Sequence, residues 1–369
     1  MTPVELSRTV LRAVRRAVDD GELSVAVPAH VVVTPPGPGG SGDYATNIAL
    51  QLARPAGRPP LQVAAILLPH LSGTEGVAAV EITGPGFLNI HLDRAATTTL
   101  VRRILGTEGT EGTERTVFLP YGHSDTLAGQ VLRLRIPYDI RAEVVADALV
   151  RIVASQGGRV EVDHIRPQHI AADQGDDGSP DRPDGPIDLR PVPAPEDPTP
   201  LGPDALRWAL LHPAAHDRPR ITADLLAQRA GNPLFRVRYA HARVRALTRN
   251  AAALGFTAAP GPLGAPCAPA EPYPSATQHT ADPFTPVVTA LTTYPSTLTR
   301  AATLRAPDRL ARHLVVLADA LLAFQHTVLP RGDEKPSAAH RARLALAEAT
   351  GTVLAGGLSL LGIDAPDYL

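Results

Sequence analysis

Six arginines, Arg229, Arg236, Arg238, Arg243, Arg245 and Arg249, crowd the stretch from Leu225 to Ala270, which holds no acidic residue. A helix over Pro233–Asn250 would set Arg238, Arg245 and Arg249 at i, i+7 and i+11, on one stripe. Arg236 and Arg243 would form the neighbouring row, with Tyr239 four residues before Arg243 on the same face. Cations beside an aromatic ring suit an exposed nucleotide loop, because they neutralise phosphate while the ring stacks on a base. The plainer meaning of such a charge run is a solvated basic helix face.

The elements that would position these residues follow from periodicity and punctuation. The chain opens with a helix, for which Thr2 and Glu5 offer a capping box around Pro3 and Val4, Val10, Leu11, Val14 and Val18 an apolar face. After a Pro/Gly loop at 35–42, residues 43–53 read as a second capped helix and 61–71 as a third. Val77–Thr83 and Gly86–Leu92 read as strands joined at Gly84-Pro85. In the second strand Leu88, Ile90 and Leu92 alternate with Phe87, Asn89 and His91, so the latter three are expected on the outer face. There an aromatic and an amide two residues apart would stack on an unpaired base and bond its edge.

Three GTE repeats at 106–114 read as a polar linker. A strand at 131–136, a helix at 141–155 and a strand at 159–165 make a βαβ unit with parallel strands. Residues 173–200 carry eight prolines, eight acids and two arginines without periodicity, and read as an acidic tether. From 201 onward the pattern is helical, with a Pro/Ala/Gly-rich loop at 258–282 and long amphipathic helices at 307–328 and 338–361.

Composition narrows the functions further. The net charge of −2 makes any RNA contact a local patch. One cysteine, Cys267, excludes an internal disulfide, and no histidine spacing suits a metal; no cofactor is expected. The arginines of the first helix argue against a signal peptide, and no apolar run looks long enough to span a bilayer. The expectation is a cytoplasmic monomer. Gly122-His123-Ser124-Asp125 lacks the Gly-x-Ser-x-Gly elbow and reads as a turn.

Two phrases, Asp204-Ala-Leu-Arg207 and NPLFRVRYAHAR at Asn232–Arg243, together with 340–369, resemble the DALR anticodon-binding domain of class I arginyl-tRNA synthetases. GDYATNIALQLA at 42–53 and VEITGPGFLNIHL at 80–92 resemble that family's N-terminal additional domain. The resemblance implies an α+β N-terminal domain over 1–100 that holds the tRNA D-loop, with Phe87 and Asn89 at base-reading positions. It implies a small Rossmann-like βαβ remnant over 115–172, the acidic linker over 173–200, and an all-α DALR-type bundle over 201–369. Arg236, Tyr239 and Arg243 would meet the anticodon loop, with Arg238, Arg245 and Arg249 on phosphates. Where family members usually finish in Ala-Pro-Glu-Arg-Met, residues 365–369 read Ala-Pro-Asp-Tyr-Leu.

The catalytic signatures of that family are not found. Aligning 146–158 with the family helix puts the His-x-Gly-His element on Ile136-Pro137-Tyr138-Asp139. Both histidines are replaced, Tyr138 stands at the glycine, and only Arg141 beyond it agrees. No Lys-Met-Ser-Lys loop precedes 201; the one lysine is Lys335. Residues 166–200 are too few for a nucleotide-binding domain, which needs on the order of 100–200 residues. The resemblance therefore implies a tRNA-binding relative of arginyl-tRNA synthetase, for arginine tRNA first, without adenylating chemistry. Residual arginine–tRNA ligase activity, use of arginyl-tRNA with a partner subunit, and a protein-interaction scaffold are the alternatives.

Overall fold

Leu88 and Ile90 alternate on one strand and are fully buried, so the sheet that carries them must be covered on that side. The computed structural model describes residues 3–34, 36, 42–74, 76–92, 94–106, 119–165, 185–263 and 282–369. These divide into two compact units. The first takes residues 1–112, 254–293 and 327–346 and the second 113–253, 294–326 and 347–369.

In the first unit, helix α1 (Pro3–Asp19) is followed by strands β1 (Val33–Thr34) and β2 (Tyr44–Thr46) and helices α2 (Ile48–Ala56) and α3 (Pro60–Ser72). Strands β3 (Val77–Thr83) and β4 (Phe87–Leu92) and helix α4 (Arg94–Leu105) follow. The antiparallel sheet has the order β1-β2-β4-β3. Its core joins Leu6, Val10 and Val14 of α1, Ile48 and Leu52 of α2, and Val63, Leu67 and Leu71 of α3 to Leu88 and Ile90. The β3–β4 turn needs glycine: Gly86 has φ +131°, and a Cβ there would lie 2.9 Å from the Pro60 side chain. One expectation is corrected here. Residues 44–46 form a strand rather than the first turn of a helix, because they pair with 88–90 of β4, and α2 starts only after Asn47. The proposed capping box, the GTE repeats beyond Gly106 and Cys267 lie outside the described residues.

The second unit begins with β5 (Val131–Ile136), α5 (Ile140–Ala154) and β6 (Arg159–His164). β5 and β6 are parallel, in register from Val131–Arg159 to Ile136–His164. Of the acidic segment, 185–200 is described, and it is not simply a tether: β7 (Ile187–Asp188) adds a parallel strand beside β5. There Arg135 binds Asp188 at 2.8 Å. Helices α6 (Gly202–Leu211), α7 (Pro233–Ala253) and α9 (Pro307–Phe324) belong to this unit, while α8 (Thr285–Thr303) and α10 (Ala338–Leu361) have residues in both. α10 is long and apolar enough to cross a membrane, contrary to the sequence expectation. Two thirds of its most apolar stretch is buried, as in the core helix of a bundle. Residues 121–126 form turns, where Ser124 is tied to the amide oxygen of Gln156 at 2.8 Å.

One buried charge organises the second unit. Arg141, in the first turn of α5, is wholly inaccessible to solvent. Its Nε donates to the carbonyl of Leu210, its Nη1 to Val192 and Asp217, and its Nη2 to Pro213 and Ala214. A guanidinium has five N–H donors, and each here has its own carbonyl. Four of the acceptors lie at or beyond the C-terminus of α6, where carbonyls lack helical partners and the helix dipole is negative, and the fifth, Val192, comes from the segment before α6. Burial pushes the Arg141 pKa down, while Asp139, Asp217 and Asp308 act against that. Arg141→Lys, with three donors for five carbonyls, is expected to cost about 3–5 kcal/mol because each buried acceptor left unpaired is expensive. Urea denaturation of the intact chain, followed by the fluorescence of Trp208, measures this; a loss below about 1 kcal/mol would contradict the role assigned to Arg141.

Candidate nucleic-acid interface

Helix α7 starts where Asn232 and Pro233 fix it. The Asn232 side-chain oxygen accepts from the backbone N–H of Leu234 at 3.1 Å and Phe235 at 3.4 Å, as an N-cap does. Its amide nitrogen donates to the carbonyls of Leu225 and Ala227, tying the preceding turn to the helix. Leu234, Val237, Ala240, His241, Val244, Leu247 and Ala251 make the buried stripe. A glycine faces it from α10: a Cβ at Gly351 would lie 2.9 Å from Val244. His241 Nδ1 donates to the carbonyl of Pro366 at 3.1 Å.

The arginines of α7 are not the free cationic stripe that the sequence suggests. Arg236 binds Asp319 of α9 at 3.0 Å, and Arg243 donates from Nε to Gln325 at 2.7 Å. Arg238 faces Asp204 of α6 at 3.5 Å. Arg245 binds Asp367 at 3.0 Å, and the Arg249 guanidinium lies 4.2 Å over the Tyr368 ring. The local stretch has no acid, but three distant segments supply them. Tyr239 is exposed and stacks on Phe235, with ring centroids 5.6 Å apart. The outer side of α7 therefore presents two aromatic rings, with Arg245 and Arg249 exposed further along the helix. Exposed ion pairs are worth about 0–1 kcal/mol, so an arginine such as Arg245 can exchange its carboxylate for a phosphate at little cost.

In the first unit, Phe87 is exposed at the start of β4, as expected. Asn89 is not: it is 1% exposed. β4 is an inner strand with Ala45 and Glu81 directly opposite Asn89, and the amide donates to Thr83 Oγ1 at 3.0 Å. His91, the third of the expected outer residues, lies 3.5 Å from Glu81.

At the C-terminal end of β5, Ile136 is buried and Tyr138 is 70% exposed, stacked on His164. Asp139 is the N-cap of α5, and its carboxylate accepts from the N–H groups of Arg141 at 3.0 Å and Ala142 at 3.1 Å. Free N–H groups at a helix start would attract phosphate. Here the chain's own carboxylate occupies two of them.

Residues 5–92 match the family described as the arginyl tRNA synthetase N-terminal domain, and residues 237–369 match the DALR anticodon-binding domain. The chain is related to arginyl-tRNA synthetases. Over 173 residues it is 42% identical to the arginine–tRNA ligase of Renibacterium salmoninarum, covering 43% of this chain and 30% of that one. Over 167 residues it is 36% identical to the arginine–tRNA ligase of Frankia alni, covering 42% and 28%. The chain thus matches under a third of the length of these curated relatives. Its fold is also similar to the solved Thermus thermophilus arginyl-tRNA synthetase, at 16% identity and a TM-score of 0.59 over all of both chains. The Plasmodium falciparum arginyl-tRNA synthetase gives a TM-score of 0.64 at 8% identity, over 100% of this chain and 99% of that one.

In this relative of arginyl-tRNA synthetases, the Asp-Ala-Leu-Arg phrase is structural. Asp204 faces Arg238 and accepts the N–H of Asp364 at 3.2 Å. Arg207 joins Arg151 on Asp147 of α5. Sequence reading missed this knot, although the i,i+4 spacing of Asp147 and Arg151 signals half of it. Burial alone would raise the Asp147 pKa; hydrogen bonds and charge from Arg151 and Arg207 outweigh that and hold it below the ordinary carboxylate value. A depressed carboxylate contributes stability that is present above about pH 4 and lost as pH falls through its folded-state pKa. The stability gap between the native chain and Asp147→Asn should therefore be full at neutral pH and close toward pH 3 in urea titrations; a gap independent of pH would remove the ion pair from the account.

Proposed function

We propose that this chain binds tRNA, arginine-accepting tRNA first, and does not activate arginine. The observation that carries the reading is the outer side of α7, where the Phe235–Tyr239 ring pair lies on the helix that also exposes Arg245 and Arg249. Anticodon-loop bases would stack on the rings while the arginines take phosphates. Phe87 would stack on a D-loop base from the first unit. Asn89 would join it only by giving up its bond to Thr83. Arg236, Arg238 and Arg243 serve chiefly to fix the helix that presents the others.

The start of α5 supports the absence of adenylation. Asp139 places a negative charge where a developing phosphate would need donors, and Tyr138 stands where a close nucleotide approach needs a small residue. The chain would act as a monomer in the cytoplasm, where tRNA is charged. Arginine-dependent pyrophosphate exchange with ATP is expected to be flat, and clear exchange would restore a ligase reading.

Tyr239→Ala should weaken tRNA binding by roughly 5- to 100-fold, the range of one lost base stack. Asp367→Asn should instead strengthen it by about two- to fivefold at low salt, because Arg245 is released from an exposed pair of small worth. Electrophoretic mobility shift or fluorescence titration reads both. Unchanged affinity in Tyr239→Ala would remove α7 as the interface.

A further inference from the structure

The second unit contains a cavity of about 540 Å³ that the α7 face does not use. It lies between the C-terminal half of α6, the loop that follows, and α9. Trp208, His212, Asp217, Arg218, Arg220 and Arg312 are among the residues that line it. Three guanidinium groups thus surround one space against a single lining carboxylate. Arg312 is paired with Asp308 at 2.8 Å. Arg218 and Arg220 are exposed and enter no hydrogen bond or ion pair with the described residues. The contrast with α7 is sharp, since Arg236, Arg238, Arg243 and Arg245 all have polar partners there.

The other wall is aromatic. His212 stacks on Trp208 with centroids 5.1 Å apart and planes 23° from parallel. Burial and the charges of Arg312 and Arg236 push the His212 pKa down, against the opposing pull of Asp308, which favours the neutral ring with its acceptor nitrogen. The backbone of the loop is held by Arg141, which binds the carbonyls of Pro213, Ala214 and Asp217. The cavity wall is thereby preorganised, while Arg218 and Arg220 remain free to turn toward a ligand.

Size selects among anions. A lone phosphate would leave most of this volume empty, whereas sites of roughly 300–1,000 Å³ suit ligands of nucleotide size. Arginine is suited to phosphate by its planar, two-pronged donor geometry. We propose that this cavity is a nucleotide site, in which Arg218, Arg220 and Arg312 hold phosphate and the base lies toward His212. The nucleotide is either free or one unit of an RNA strand; the recognising chemistry is the same. The cavity meets α7 only at Pro233, and neither Phe235 nor Tyr239 lines it.

Trp208 is the only tryptophan of the chain and lines this cavity, so its fluorescence reports on binding there. The intact chain is titrated with AMP, ATP, inorganic phosphate and tRNA. Saturable, sub-millimolar quenching by AMP or ATP is expected, with inorganic phosphate at least about tenfold weaker because it fills only the cationic end. The double variant Arg218→Ala/Arg220→Ala should lose about tenfold or more in that affinity, with an unchanged melting temperature. If nucleotide binds without competing with tRNA, the ligand is free nucleotide. If the two compete through this cavity, or only tRNA quenches and the double variant weakens that response, it is a unit of RNA. Tyr239→Ala serves as the control, since it should weaken tRNA binding and spare the response to AMP. No saturable change with any nucleotide or tRNA, or a response that the double variant leaves intact, would overturn the proposal.

Discussion

The second unit depends on a single guanidinium buried where no water can reach it. Arg141 rises from the start of α5 and meets five carbonyls at the end of α6 and in the chain around it. Charge burial of this kind is tolerated only when every donor is satisfied, and here every one is. The consequence is mechanical. The βαβ portion, the end of α6 and the loop at 213–217 become one rigid piece, and the cavity beside that loop takes its shape from it. Asp139 belongs to the same arrangement: it caps α5 and places a negative charge near Arg141.

The start of α5 is capped by the chain's own Asp139, and Asp204 and Arg207 are likewise engaged within the protein. Asp204 and Arg207 do not reach outward. One faces Arg238 of α7 and takes the N–H of Asp364, and the other shares Asp147 with Arg151. These contacts fix the geometry of the bundle. The residues left over, Tyr239, Arg245 and Arg249 on α7 and Phe87 on β4, are exposed and sit on well-packed elements. That combination suits recognition, since little ordering cost remains to be met on binding.

Much of this was legible in the sequence wherever the signal was local. The 3.6-residue periodicity gave α3, α5 and α7 nearly to their ends, and Gly84-Pro85 marked the hairpin. The short strand at 44–46 was not legible, because its partner is β4, more than forty residues away, and its own letters suit a helix start. The alternation rule put Asn89 outside, but β4 is an inner strand and a neighbouring hydroxyl draws the amide in. The charge of α7 was read correctly as a run of arginines and incorrectly as uncompensated. Asp319 and Asp367 lie far along the chain, and no local pattern announces them. The cavity was invisible for the same reason: its arginines come from a loop and from α9, which only the fold brings together.

Titration of the chain with arginine tRNA and one unrelated tRNA, at two salt concentrations, decides whether it reads tRNA. A preference for arginine tRNA that weakens steeply as salt rises is expected, since phosphate contacts release bound counterions. Equal, weak binding of both tRNAs, or none, would contradict it and would leave the α7 face as a solvated helix surface.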